Sequence, residues 1–135
     1  MSSKRILPLL FCSLILILSI VGCSGGSYST LKSIENNTDT SMKMSYSKFN
    51  GGKFRTLKLK SGDILNFNAN VNTTSGNLSI CVLDENGTEL YKADTPKSPL
   101  SESINISKDG TYKIKITAKN HSGDYDINWK IVREN

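Results

Sequence analysis

The stretch TYKIKITAKNHSGDYDINWKIV, residues 111–132, alternates apolar and polar side chains almost without interruption. Tyr112, Ile114, Ile116 and Ala118 share one parity, and Tyr125, Ile127, Trp129 and Ile131 share the other. A period of two belongs to a strand, because successive side chains leave the pleated backbone on opposite faces, and an apolar set on one face marks a strand buried on one side. The change of parity at residues 120–123 predicts a turn with His121 and Ser122 at its tip. The resulting hairpin sets Ala118 opposite Tyr125, Ile116 opposite Ile127, Ile114 opposite Trp129 and Tyr112 opposite Ile131. On its outer face Lys119 meets Asp124, a pair of the kind that contributes about 0.2–1 kcal/mol.

The same period recurs upstream. LKLKSGDILNFNANV (57–71) predicts Leu59 against Leu65 and Leu57 against Phe67 around Ser61, Gly62 and Asp63. In LSICVLDENGTELYKA (78–93), Asn86-Gly87 is a hairpin signal for a type I′ turn, which requires positive φ at both central residues. Val82 then faces Tyr91 and Ile80 faces Ala93, while Cys81, Leu83 and Leu90 on the other face predict cover on both sides. SINISKDGTYKI (103–114) matches Ile106 to Tyr112, and SMKMSYSKF (41–49) supplies a further strand through Met42, Met44 and Tyr46. Pro96 and Pro99 mark a loop crossing between sheets. Seven to eight short strands with regular turn signals predict an all-β fold, an antiparallel β-sandwich of jelly-roll type over residues 42–135.

The N-terminus follows other rules. Lys4 and Arg5 precede an apolar run from Ile6 to Val21, broken only by Pro8, Cys12, Ser13 and Ser19. The run falls short of the roughly 20 residues that span a bilayer. A basic start, a medium apolar stretch and small residues at its end are the marks of a cleaved signal peptide. At that end Ile20, Val21, Gly22 and Cys23 resemble the lipobox of bacterial lipoproteins. The resemblance implies a diacylglycerol on the Cys23 sulfur, cleavage between Gly22 and Cys23, and a mature chain lipid-anchored to the outer face of the cell membrane. A bias toward Lys, Asn and Ile points to a low-GC, Gram-positive source.

On that reading residues 1–22 are the signal peptide, and residues 23–41, rich in Ser, Thr, Asn and Gly, form a flexible tether. A coil of that length would hold the domain roughly 20–25 Å from the bilayer. Within it Tyr28, Leu31 and Ile34 stand three apart, the spacing of one helical turn. Removing 22 of 135 residues leaves 113, enough for one core. Two of the 17 basic residues leave with the leader, and against 12 acidic ones the remainder carries +3, too mild a surplus to imply a nucleic-acid partner. Cys12 lies in the leader and Cys23 carries lipid, so Cys81 has no disulfide partner and is expected as a small hydrophobe in its strand.

A second resemblance rests on the order LKLKSGDILNF, GNLSICVLDENGTEL, DGTYKIKITA and SGDYDINW. It is similar to the bacterial pre-peptidase C-terminal domain over about residues 46–132. That family's domains are jelly-roll sandwiches appended to secreted peptidases, where they are thought to aid secretion, substrate contact or surface attachment. This chain has no peptidase, so the resemblance implies a stand-alone module.

The sequence offers no catalytic constellation and predicts no cofactor. His121 is the single histidine and is expected as a solvated turn residue; there is no Gly-x-Ser-x-Gly, no Cys-x-x-Cys and no His-x-x-x-His, so zinc lacks ligands. Asp84, Glu85, Asn86 and Glu89 stand at a spacing that calcium ligands take, but the hairpin turn accounts for Asn86 and Gly87. Lys58, Lys60, Lys113 and Lys115 read as the outer face of a sheet, or as contacts to an anionic polymer. Phe49 and Phe54 flank an NGG turn at 50–52, fit no alternation, and are the candidate ligand contacts on an exposed loop. The function expected is that of a non-catalytic binding module of the cell envelope, with wall polysaccharide or another glycan as ligand. The alternative is action on an envelope protein as an inhibitor, immunity-like protein or assembly factor.

Overall fold

The computed structural model describes residues 24–133; the expected signal peptide and Cys23, the expected lipidation site, lie outside them. The described chain is all-β: β1 (Ser24–Leu31), β2 (Ile34–Glu35), β3 (Ser41–Leu59), β4 (Ile64–Leu83), β5 (Glu89–Asp94), β6 (Leu100–Asn105) and β7 (Gly110–Val132). All pairings are antiparallel, in the order β1-β3-β7-β4-β5, with β2 also on β3 and β6 also on β4.

Three strands are far longer than a typical strand of five or six residues, and each is irregular at its middle. Register shifts fall at 46–51 in β3 and 73–77 in β4, opposite residues 118–123 of β7. Beyond each irregularity the buried parity changes: Met42, Met44 and Tyr46 give way to Phe49 and Leu59; Leu65, Phe67, Ala69 and Val71 to Leu78, Ile80 and Val82; and Tyr112, Ile114, Ile116 and Ala118 to Tyr125, Ile127 and Trp129. A bulge changes the residue count on one strand, so parity changes while the apolar side stays on the same face. The sheet bends there and closes on itself as a sandwich.

One half-sheet contains β2, β6 and the segments 41–46, 64–73 and 122–132; the other contains β1, β5 and the segments 49–59, 77–83 and 110–121. Their inner faces meet: Phe67 and Tyr91 approach edge to face at 5.2 Å, and the Arg55 guanidinium lies 5.9 Å from the Trp129 ring.

Several expected hairpins are therefore absent. Residues 111–132 are one strand, with Ala118 opposite Leu78 and Tyr125 opposite Val71. Leu59 pairs with Gly110 and Leu65 with Ile131, so the turn at Lys60–Asp63 carries the chain from one half-sheet to the other. The segment between β6 and β7 likewise crosses between the halves. Alternation reports which face a side chain takes and is silent about the partner strand. Only the β4–β5 hairpin forms as expected, with Val82 on Tyr91 and Ile80 on Ala93. Gly87 alone has positive φ in its loop, so the turn is not type I′; the Gly87 N–H donates to the Asp84 carbonyl.

The expected tether is also corrected. Residues 24–31 and 34–35 are strands, and Tyr28 and Ile34 stand on them, not on a helical turn. Their backbones pair with β3, and backbone hydrogen bonding asks nothing of side-chain polarity. Among the described residues none covers the outer face of β4–β5 fully: Leu90 is 41% exposed, and Cys81 and Leu83 are half-buried.

Candidate functional site

The bend collects an aromatic cluster that the sequence pattern assigned elsewhere. Phe49 is fully buried, with its ring 5.1 Å from Tyr46 and 6.3 Å from Tyr125. It is a core residue, not a loop contact, because NGG is a bulge within β3: the Asn50 side-chain oxygen accepts a hydrogen bond from the Asn120 N–H at 2.7 Å and holds the two irregularities together. His121 is fully buried too, not solvated. Its Nδ1 lies 2.6 Å from the Tyr46 hydroxyl and its Nε2 2.8 Å from the Thr73 hydroxyl. Burial lowers its pKa, against the opposing pull of Asp124, and a neutral imidazole supplies one donor and one acceptor to these two hydroxyls. Through His121 the cluster joins β3, β4 and β7 where these strands are irregular.

Phe54 behaves differently. It remains half-buried on β3 and lines a cavity of about 260 Å³ at the β1–β2 edge, with Tyr28, Glu35, Asn37, Lys53 and Arg55. β1 contributes Gly25 and Gly26 to the lining, so that strand passes the cavity without side-chain bulk. Lys53 is 6% exposed. Its ammonium pairs with Glu35 and sits 4.5 Å from the centre of the Tyr28 ring, and burial lowers its pKa. Glu35 Oε1 also accepts from Asn37 Nδ2 at 2.7 Å. Arg55 donates to the Thr38 carbonyl and lies against Trp129. The Tyr28 ring packs edge-on against Phe49 at 5.9 Å, which ties the cavity to the core.

A carboxylate, an amide, two cations and the Tyr28 ring thus share one small concavity, while the Phe54 ring, of opposite parity to Lys53 and Arg55, lies beside Lys113 on the outer face. Such a lining offers donors and acceptors for hydroxyls and one ring face for C–H groups. Pockets for drug-sized ligands run from about 300 to 1,000 Å³, so this one suits a single unit of a larger polar molecule. A larger depression of about 420 Å³ over β2 is lined by Ile34, Asn36, Lys43, Met44, Ser45 and Asp124, without an aromatic ring.

No family model and no curated protein matches the chain. Solved structures do. Part of the enzymatically active domain of bacteriophage CBA120 tailspike protein 4 superposes with a TM-score of 0.50 at 15% identity, over 81% of this chain and 19% of that one; this chain therefore spans about a fifth of it. A family 35 carbohydrate binding module from Clostridium thermocellum aligns with a TM-score of 0.46 at 14% identity, over 83% and 99% of the two chains. TmCBM61, solved with β-1,4-galactotriose, aligns with a TM-score of 0.44 at 15% identity, over 85% and 90%. The tailspike likeness is one of fold.

The remaining sequence candidates are placed as follows. Asp84 Oδ1 accepts the N–H groups of Asn86 and Thr88 at 2.9 and 2.8 Å, so this carboxylate organises the turn. Among the described residues no group of three or more His, Cys, Asp or Glu side chains is arranged to hold a metal. Lys113 and Lys115 alternate with buried Tyr112, Ile114 and Ile116 and lie on the outer face, with the Lys113 ammonium 4.6 Å from the centre of the Phe54 ring. Cys23 lies outside the described residues. The cavity itself was missed in the sequence because half its lining comes from the presumed tether; Tyr28, an aromatic in an otherwise small and polar segment, was the available signal.

Proposed function

We propose that this protein is a non-catalytic glycan-binding module held at the outer face of the cell membrane by a lipid on Cys23. The observation that carries the ligand class is the joining of the Tyr28 ring with Glu35, Asn37, Lys53 and Arg55 in one concavity at the sandwich edge. A sugar unit presents hydroxyls and an apolar ring face together, and this lining answers both. Hydrolysis of a glycosidic bond ordinarily takes two carboxyl groups flanking the bond, whereas Glu35 is the one carboxylate in the lining and is already engaged by Lys53. The anchor rests on the four lipobox residues and the basic, apolar leader before them.

The experiment is retention of the purified chain on cell-wall polysaccharide, compared with Tyr28→Ala and Arg55→Ala variants. Retention by the parent chain and loss in both variants supports the reading; equal retention in all three removes the cavity as the site. Fatty-acid labelling of cells carrying Cys23→Ala tests the anchor, with loss of label expected. A protein partner is the second reading, favoured by Leu31 and Ile34, which are 60% and 76% exposed on either side of the β1–β2 turn. Its signature is capture of one envelope protein with no retention on polysaccharide.

A further inference from the structure

The two outer faces of the sandwich differ in charge. On the half-sheet with β1 and β5, alternation and register place Lys58, Lys113, Lys115, Lys119 and Lys92 outward, against the carboxylates of Glu89 and Asp94. Asp94 is already engaged, with Lys92 at 3.9 Å and the Ser79 hydroxyl at 2.7 Å. The opposite outer face is neutral and amide-rich: Asn68 bonds Asn128, Asn72 bonds Asp124, and Lys43 and Lys130 balance Asp124 and Asp126. The basic face also carries apolar surface in exposed Leu90 and in half-buried Leu83, Cys81 and Phe54, the last beneath the Lys113 ammonium.

Where the chain joins this body sets how it can sit. Ser24 is the first residue of β1 and pairs with Arg55, while Gly25 pairs with Phe54. Cys23 is the preceding residue in sequence. An anchor there lies within about 3.5 Å of chain from an edge strand of the basic half-sheet, which leaves no spacer on which the domain could stand away from the bilayer.

We infer that the basic outer face of the β1, β3, β7, β4, β5 half-sheet lies on an anionic lipid surface, with the amide-rich face turned away from it. The inference rests on the lipid anchor proposed above. Lysines near an anionic leaflet are attracted within a Debye length of it, and the attachment at β1 holds these within reach. The cavity at the β1–β2 edge then opens sideways just above the headgroups, toward polymer lying along the membrane.

The test uses the full chain carrying its lipid, in a Cys81→Ser background, on vesicles whose headgroups bear a fluorescence quencher. A single reporter is placed at Lys92→Cys or Lys119→Cys on the basic face, or at Asn68→Cys on the other; all three parent side chains are exposed. With phosphatidylglycerol present, quenching several-fold stronger at 92 and 119 than at 68 is expected. That difference should collapse in pure phosphatidylcholine and at 1 M salt, where the screening length falls to about 3 Å. Equal quenching at the three positions, or stronger quenching at 68, overturns the orientation. A chain that does not float with the vesicles defeats the anchor itself and this inference with it.

Discussion

The hydroxyl of Tyr46 lies 2.6 Å from Nδ1 of His121, joining β3 to β7 at the point where both strands bend. On the far side of the same ring the Thr73 hydroxyl, 2.8 Å from Nε2, adds β4. One buried imidazole therefore ties together the three long strands that run through both halves of the sandwich.

Removing either partner leaves a buried ring nitrogen unsatisfied. Tyr46→Phe is expected to destabilise the fold by about 1–3 kcal/mol, the cost of an orphaned buried polar group. Urea denaturation measures it. Tyr125→Phe is the control: the Tyr125 hydroxyl is buried without a hydrogen-bond partner among the described residues, so its removal should be neutral or stabilising.

The same ring predicts a pH dependence. Burial depresses the His121 pKa, so the unfolded chain binds the proton more readily than the folded one and stability rises with pH. The contribution is complete above the unfolded value of about 6.5 and is lost as pH falls through the lower folded pKa. Denaturation midpoints measured from pH 8 down to 5.5 should fall toward acid, and His121→Gln should flatten that slope. A slope unchanged by the substitution would assign it to other groups.

Gly123 sits at the bend with φ of 140°, and a Cβ there would lie 1.9 Å from the Asn72 carbonyl oxygen. That atom is backbone on a paired strand and cannot swing aside. Gly123→Ala should cost more than the ~1–3 kcal/mol of holding a residue other than glycine in a sparsely populated backbone region, because the collision adds to that strain. Gly62→Ala, where nothing lies within 4 Å, should show only the strain of its φ of 92°. Thermal unfolding of the two variants separates steric collision from backbone strain.

Glu35→Gln strips Lys53 of its carboxylate while leaving the ammonium 6% exposed. Breaking a wholly buried ion pair costs roughly 3–5 kcal/mol. Glu35 keeps a third of its side chain open, so a smaller loss is expected, and Lys53→Met should recover part of it in the double variant. A double-mutant cycle by chemical denaturation measures the coupling.

The inward residues were legible because a period of two is a direct consequence of the pleat. Tyr112, Tyr125 and Trp129 are buried where alternation puts them, and Tyr91 packs on Phe67. Their partners were not legible. A hairpin and a bulge both change parity, and residues 119–123 carry Asn, Ser and Gly, which suit either. Local sequence cannot choose between them, since the choice depends on which strand lies alongside. Phe49 was misplaced because a bulge disturbs the period without exposing the residue, and Phe54 stands on the outer parity of β3 with its ring beside Lys113. β1 was invisible because an edge strand of glycines and serines is held by backbone bonds to β3.

The most direct test of the central claim is a backbone amide NMR titration of the folded chain with soluble fragments of cell-wall polysaccharide. Concentration-dependent shifts confined to residues 25–28, 35–37 and 53–55 are predicted. Shifts centred on the Asn-rich outer face around residues 68–72 and 126–128, or no shifts at saturating polysaccharide, would contradict a glycan site in the β1–β2 edge cavity.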